Sequence, residues 1–97
     1  MRRTEVLVID DSAMFRSFVR NVLETDAHGR SNSIREAGDG IQGVRLACEL
    51  LPNLIILDVG LPGLHGIEVA RQILSAAPKA RILFLSQESS PDIVQEH

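Results

Sequence analysis

Cysteine occurs once in the 97 residues, phenylalanine three times, and tryptophan and tyrosine not at all. A lone Cys48 can form no internal disulfide and no thiolate metal cluster. With aromatics at 3%, the core must be built from Val, Ile, Leu and Ala. No stretch approaches the ~18 apolar residues that a membrane span needs. The opening MRRTEVLVIDD has too short an apolar run for a signal peptide, and it ends in two acids rather than small residues. The default expectation is therefore a cytoplasmic protein without membrane contact. Basic charge is also scarce: ten Lys and Arg against 13 Asp and Glu give a net charge of −3. Phosphate backbones need a basic stripe, so direct nucleic-acid binding by this segment is not expected.

What is present is an ordinary globular composition, with 44% hydrophobic and 24% charged residues, enough for one small domain. Two kinds of segment alternate. Val6 to Ile9, Leu54 to Leu57 and Ile82 to Leu85 are short, continuous aliphatic runs, the pattern of strands buried on both faces of a parallel sheet. Ser33 to Ala37 is a weaker strand, and its Arg35 and Glu36 suggest an edge position. Between the strands lie amphipathic patterns. The first stripe is Phe15, Phe18, Val19, Val22 and Leu23, with Arg16, Arg20 and Asn21 on the other side. The second is Ile41, Val44, Cys48 and Leu51, closed by Pro52, and on it Cys48 reads as a buried small hydrophobe. Ile67, Ala70, Leu74 and Ala77, closed by Pro78, form the third.

The order β-α-β-α-β-α-β predicts an α/β fold, a doubly wound parallel sheet with helices on both faces. At the other end of the chain, Ser90-Pro91-Asp92 reads as a helix N-cap and first turn, with Ile93 to Glu96 beginning a helix. A domain seldom stops one turn into a helix, so residues 1–97 are expected to be one domain, incomplete at its C-terminal end. On that reading the fourth strand is an exposed apolar edge, open to homodimerisation or strand exchange.

The first and third strands both end in acid: VLVID is followed by Asp11, and LIIL by Asp58. In a doubly wound sheet the strands flanking the reversal of helix direction leave a crevice at their carboxyl ends, where ligands bind. If strands one and three are neighbours, Asp10, Asp11 and Asp58 converge there. Three carboxylates repel one another unless a cation is present. With only oxygen ligands on offer the cation is a hard one, and Mg²⁺ suits a site of few protein ligands. An aspartate in such a site can act as a nucleophile toward phosphorus. Ser86 ends the fourth strand and could donate to a phosphoryl oxygen, while Gly60, Pro62 and Gly63 shape the loop after Asp58. Taken singly, each of these residues reads equally well as a turn former, and Asp11 or Ser12 as the cap of the first helix.

The stretches VLVIDD-SAMFR, LIILDVGLPGLHGIEVA and ILFLSQESS resemble the receiver domain of two-component response regulators, most closely in the LuxR/NarL-type wording of Asp58 to Ser86. The resemblance implies a flavodoxin-like sheet of order 2-1-3-4. It also implies a switch in which Asp58 accepts a phosphoryl group from a sensor histidine kinase and later loses it by self-hydrolysis, without turnover of a separate substrate. Asp11, Asp58 and the Gly60 carbonyl would hold Mg²⁺ directly, and Asp10 through water. Ser86 would turn toward the phosphoryl group. Gly60 stands two residues after the phosphoacceptor and brings no side chain to acyl-phosphate hydrolysis. The family's lysine on a fifth strand, its aromatic switch residue and its fifth helix are not in these 97 residues. Lys79, the only lysine, precedes strand four and cannot substitute. The family's helix-turn-helix output, through which DNA binding and transcription regulation would run, is not present either.

Three rival readings stand beside this one, the third being a non-phosphorylatable scaffold that kept the fold, to which the intact acidic triad gives no support. GDGIQG at 38–43 matches Gly-x-Gly-x-x-Gly, with Asp58 some 20 residues on, so a dinucleotide-binding module is the alternative; its bland counterpart is a plain turn into helix two. An aspartate-nucleophile phosphohydrolase would want a general acid where Gly60 stands. His28, His65 and His97 have no ligand spacing and are expected in surface or capping roles.

Overall fold

A computed structural model describes residues 4–24, 32–60 and 66–85, together with the backbone of 94–96. Four parallel strands, β1 (Glu5–Ile9), β2 (Ser33–Ala37), β3 (Leu54–Asp58) and β4 (Arg81–Leu85), alternate with three helices, α1 (Ala13–Leu23), α2 (Gly40–Leu50) and α3 (Gly66–Ala76). The strand order is β2-β1-β3-β4, the expected doubly wound arrangement, with β2 at the edge its charges suggested.

The core is two layers deep because the central strands are apolar on both faces. Leu7, Ile9, Ile55, Leu57 and Ile82 point to one face, under α2 and α3. Val6, Val8 and Ile56 point to the other, where Val19 of α1 covers them. The side chains alternate along each strand, so consecutive residues feed opposite layers. Placing α1 on one face and α2 on the other makes β1 the strand at which the winding reverses, with β3 on its far side.

Two helices are turned away from the expected stripes. In α1, Val19 is buried and Phe15 and Leu23 are half-buried, but Phe18 is 61% exposed and Val22 57%. Arg16 and Arg20, expected on the solvent side, instead reach across to Glu36 of β2. In α2 the expected stripe of Ile41, Val44, Cys48 and Leu51 is not the buried one. Gly40, Gly43, Leu46 and Ala47 face the sheet, whereas Ile41, Cys48 and Leu51 are exposed. The cause is close approach: a Cβ on Gly43 would stand 2.6 Å from Ile9 Cδ1, so the helix is seated by its missing side chain. In α3, Val69, Ala70 and Ile73 are buried, as is Ala77 just after it, and Ile67 is half exposed.

The C-terminal expectation also needs correction. Val94–Glu96 form not a helix but a fifth strand, β5, antiparallel to β4, with Leu83 opposite Glu96 and Leu85 opposite Val94. An apolar edge with unpaired backbone groups out-competes a marginal first helical turn for a β-branched segment. The edge on which self-association was expected is thus occupied along Leu83–Leu85 by the chain itself. The cap and first turn read at Ser90-Pro91-Asp92 lie outside the described residues, as do Pro62, Gly63, His28, His65 and His97.

Candidate functional site: an acidic pocket at the carboxyl ends of β1 and β3

Register brings the acids together. Ile9 of β1 pairs with Leu57 of β3, so the next residues, Asp10 and Asp58, stand side by side at the carboxyl ends of neighbouring strands. Asp11 follows at the start of the β1–α1 turn. Asp10, Asp11 and Asp58 each offer a carboxylate oxygen, and these oxygens lie within 4.8 Å of one another. Asp58 is 7% exposed, Asp10 is fully buried and Asp11 faces solvent. Two of the three carboxylates are thus buried and the third faces solvent.

Local hydrogen bonds hold this geometry. Asp10 N–H donates to the Ala37 carbonyl, extending the β1–β2 ladder one rung beyond Ile9 (3.1 Å). Its Oδ1 accepts from Ser12 N–H at 2.9 Å. The Ser12 hydroxyl accepts from Phe15 N–H at 3.1 Å and caps α1, so Ser12 rather than Asp11 is the cap. On the other strand, Asp58 Oδ1 accepts from Gly60 N–H at 2.9 Å, closing a turn over the end of β3. Each buried acid therefore uses one oxygen on its own turn.

The donor set is oxygen only and includes two buried carboxylates, which fits a hard divalent cation rather than a transition metal. Asp10, Asp11 and Asp58 could hold such an ion. Gly60 is in place beside Asp58, exposed on the turn. Ser86 lies outside the described residues; Leu85, the last described residue before it, pairs with Asp58, and Val59 N–H donates to the Leu85 carbonyl (3.0 Å).

Among the described residues, the 38–43 turn and Lys79 do not join the pocket. In the 38–43 turn, Asp39 caps α2 by accepting from Gln42 N–H at 2.8 Å, and Gly38 N–H donates to Gln42 Oε1. Gly43 is taken up by packing on Ile9. These are the roles of a plain turn into α2. Lys79 lies at the opposite end of the sheet, beside a cavity of about 560 Å³ between Leu51–Asn53 and Ala76–Arg81.

Charge-pattern reading passed over Arg16, Arg20 and Glu36. Arg16 Nε donates to Glu36 Oε1 at 3.0 Å and Arg20 Nε to Glu36 Oε2 at 2.7 Å. Arg16 Nη1 also donates to the Asp10 carbonyl at 2.7 Å. The Arg20 hydrogen bond, with the Arg16 hydrogen bond and the charge of both guanidinium groups behind it, holds the Glu36 carboxyl below its ordinary pKa against an opposing effect of burial. The i, i+4 spacing of the two arginines is legible in the sequence; their shared partner, far along the chain, is not.

Residues 6–97 match the response regulator receiver domain family. A protein-glutamate methylesterase/protein-glutamine glutaminase of Geobacter metallireducens is 41% identical over 88% of this chain and 23% of its own length. The transcriptional activator protein ExaE of Pseudomonas putida is 33% identical over 94% of this chain and 42% of its own length. The chain thus spans less than half of each of these curated relatives. Among solved structures, the response regulator domain of Thermotoga maritima CheB superposes with a TM-score of 0.80 at 31% identity, covering 94% of this chain and 66% of that one. Sheet order, acidic pocket and these matches agree, and the chain belongs to the receiver domain family of two-component response regulators.

Proposed function

We propose that this receiver is a phosphorylation-dependent switch, with Asp58 as phosphoacceptor and a sensor histidine kinase as donor. One observation carries the reading: in a chain of this family, Asp58 is buried at the end of β3 with two further carboxylates within 4.8 Å. A carboxylate oxygen of Asp58 attacks phosphorus, the P–N bond of the kinase phosphohistidine breaks, and its electron pair leaves on the imidazole nitrogen. The product is an acyl phosphate. Self-hydrolysis reverses the modification: water attacks phosphorus, inorganic phosphate leaves and the carboxylate is restored. This is single-site chemistry on the protein itself, without turnover of a separate substrate.

Asp10, Asp11, Asp58 and the Gly60 carbonyl are the proposed ligands of Mg²⁺. The ion supplies charge neutralisation, offsetting the carboxylates and the oxygens of the transferring phosphoryl group. Asp10 and Asp58 are held for this by the Ser12 and Gly60 amides. Ser86 is proposed to donate its hydroxyl to the phosphoryl oxygen and to bias the domain between two arrangements. The output is proposed to be transcription, through a DNA-binding domain elsewhere in the full protein, as ExaE is a transcriptional activator. The proposed location is the cytoplasm; among the described residues no helix is long and apolar enough to cross a membrane.

The test is intact mass after incubation with a small acyl-phosphate donor, with and without Mg²⁺. The unaltered chain should gain the mass of one phosphoryl group only with Mg²⁺, and Asp58→Asn should gain none. Equal modification of Asp58→Asn would move the phosphoacceptor elsewhere.

A further inference from the structure

Arg16 is bonded to the peptide that joins two of the three acidic residues. Nη1 donates to the Asp10 carbonyl at 2.7 Å. That carbonyl belongs to the Asp10–Asp11 peptide plane, so fixing it fixes the direction in which the chain enters Asp11. On the other side of Asp11, Ser12 N–H is tied back to the Asp10 carboxylate at 2.9 Å. Asp11 is the exposed member of the pocket. Its position therefore depends on what holds the residues before and after it.

Arg16 is itself held. Nε donates to Glu36 Oε1 at 3.0 Å, and Arg20 occupies the other carboxylate oxygen. The guanidinium thus spans from β2 to the β1–α1 turn with two bonds in a fixed planar fork. A lysine ammonium has a comparable charge but lacks that fork. Arg20 provides an internal comparison. It shares Glu36, and its remaining bond goes to the Ile34 carbonyl at 3.2 Å, away from the acids. One arginine links the ion-pair cluster to the acidic pocket, and the other links it only to the edge strand.

We infer that Arg16, oriented by Glu36, is a positioning residue for the acidic pocket: it aims Asp11 by holding the Asp10 carbonyl, and so sets the affinity for a divalent cation. The inference rests on the Mg²⁺ reading above. Groups that orient metal ligands change affinity by about 10-fold to 100-fold when removed. Because Arg16 acts on a ligand through the backbone, the lower end of that range applies.

The experiment is calorimetric titration of the full chain with Mg²⁺, with thermal midpoints measured on the same samples. The variants are Arg16→Met, Arg16→Lys and Arg20→Met, with Asp11→Asn as a ligand control. Both methionine variants should lower the thermal midpoint, since each breaks a bond to Glu36. Only Arg16→Met should weaken Mg²⁺, by about tenfold, with Arg20→Met within about twofold of the unaltered chain. Arg16→Lys should fold and still weaken Mg²⁺, because it keeps the charge and loses the fork; this arm stands if Arg16→Met does not fold. Equal losses in the two methionine variants, or a lysine variant that matches the unaltered chain, would overturn positioning in favour of general stability or of charge alone. An unaltered chain that takes up no Mg²⁺ would overturn the metal reading and this inference together. Binding lost in Asp11→Asn but unchanged in Arg16→Met would overturn the inference alone.

Discussion

Gly66, the first residue of α3, lies so close to Val59 that a Cβ built on it would stand 2.7 Å from the Val59 Cα and 2.9 Å from its carbonyl oxygen. The Asp58 carbonyl oxygen would be 3.1 Å away. All three neighbours are backbone, so no rotamer change relieves the contact. Gly66→Ala should push the end of β3 outward and cost about 2 kcal/mol, as overpacking does. Urea unfolding measures the cost, and Mg²⁺ titration reads the displacement of Asp58. An unchanged urea midpoint would mean that the turn yields freely.

Asp58 is buried with two carboxylates beside it. Without divalent cation, Asp58→Asn should stabilise the domain by on the order of 1 kcal/mol, because one repelling charge is removed. The amide oxygen can still accept from Gly60 N–H. Mg²⁺ should stabilise the unaltered chain by about 2.7 kcal/mol at one hundred times its dissociation constant. The variant should lose most of that gain. Thermal melts with Mg²⁺ and with chelator compare the two directly.

Glu36 gives the acid limb of stability a specific source. Arg20 first, and then Arg16, hold its folded pKa below the ordinary value, while burial opposes them. A depressed carboxyl contributes stability that is present above the unfolded value and disappears as pH falls through the folded one. The chain should therefore lose stability as pH drops through and below the ordinary glutamate range. Glu36→Gln should flatten that part of the profile and leave the region near neutrality parallel to the unaltered chain. Denaturant midpoints across a pH series are the measurement. Superimposable acid limbs would remove Glu36 from the account.

Leu51 closes α2 in the left-handed region, at φ 48°, and its side chain is 59% exposed. Glycine is the usual residue there, and a non-glycine residue costs roughly 1–2 kcal/mol. Part of that is offset by the greater freedom of glycine in the unfolded chain. Leu51→Gly should still raise the thermal midpoint by about 3 °C. A fall would show that the exposed leucine contributes packing that outweighs its backbone strain.

How much was legible in the sequence differs from element to element. The three aliphatic strands were, because a buried parallel strand needs a continuous aliphatic run, and little else reads as VLVI or LIIL; β2 was only weakly marked, by SIREA. The acids were legible for the same reason: Asp10 and Asp58 break those runs at the rim of the sheet. The Ser12 cap was one of two candidates, and only the hydrogen bond to Phe15 chose between them. The rotation of α2 was not legible, since hydropathy weights Ile41 and Cys48 above Gly43, and only contact with Ile9 reveals what the glycine is for. The strand at Val94–Glu96 was hidden because its local signals favour a helix, and its partner Leu83–Leu85 is known only once β4 is in place.

By itself, then, the sequence determined a parallel α/β sheet with carboxylates at the ends of two central strands, properties that follow from local pattern and strand period. Tertiary structure decided which face each helix turns inward, which glycines admit close approach, and that Arg16 and Glu36 tie β2 to the Asp10 turn. Those depend on pairs far apart in the chain, whose distance and direction exist only after the sheet has assembled.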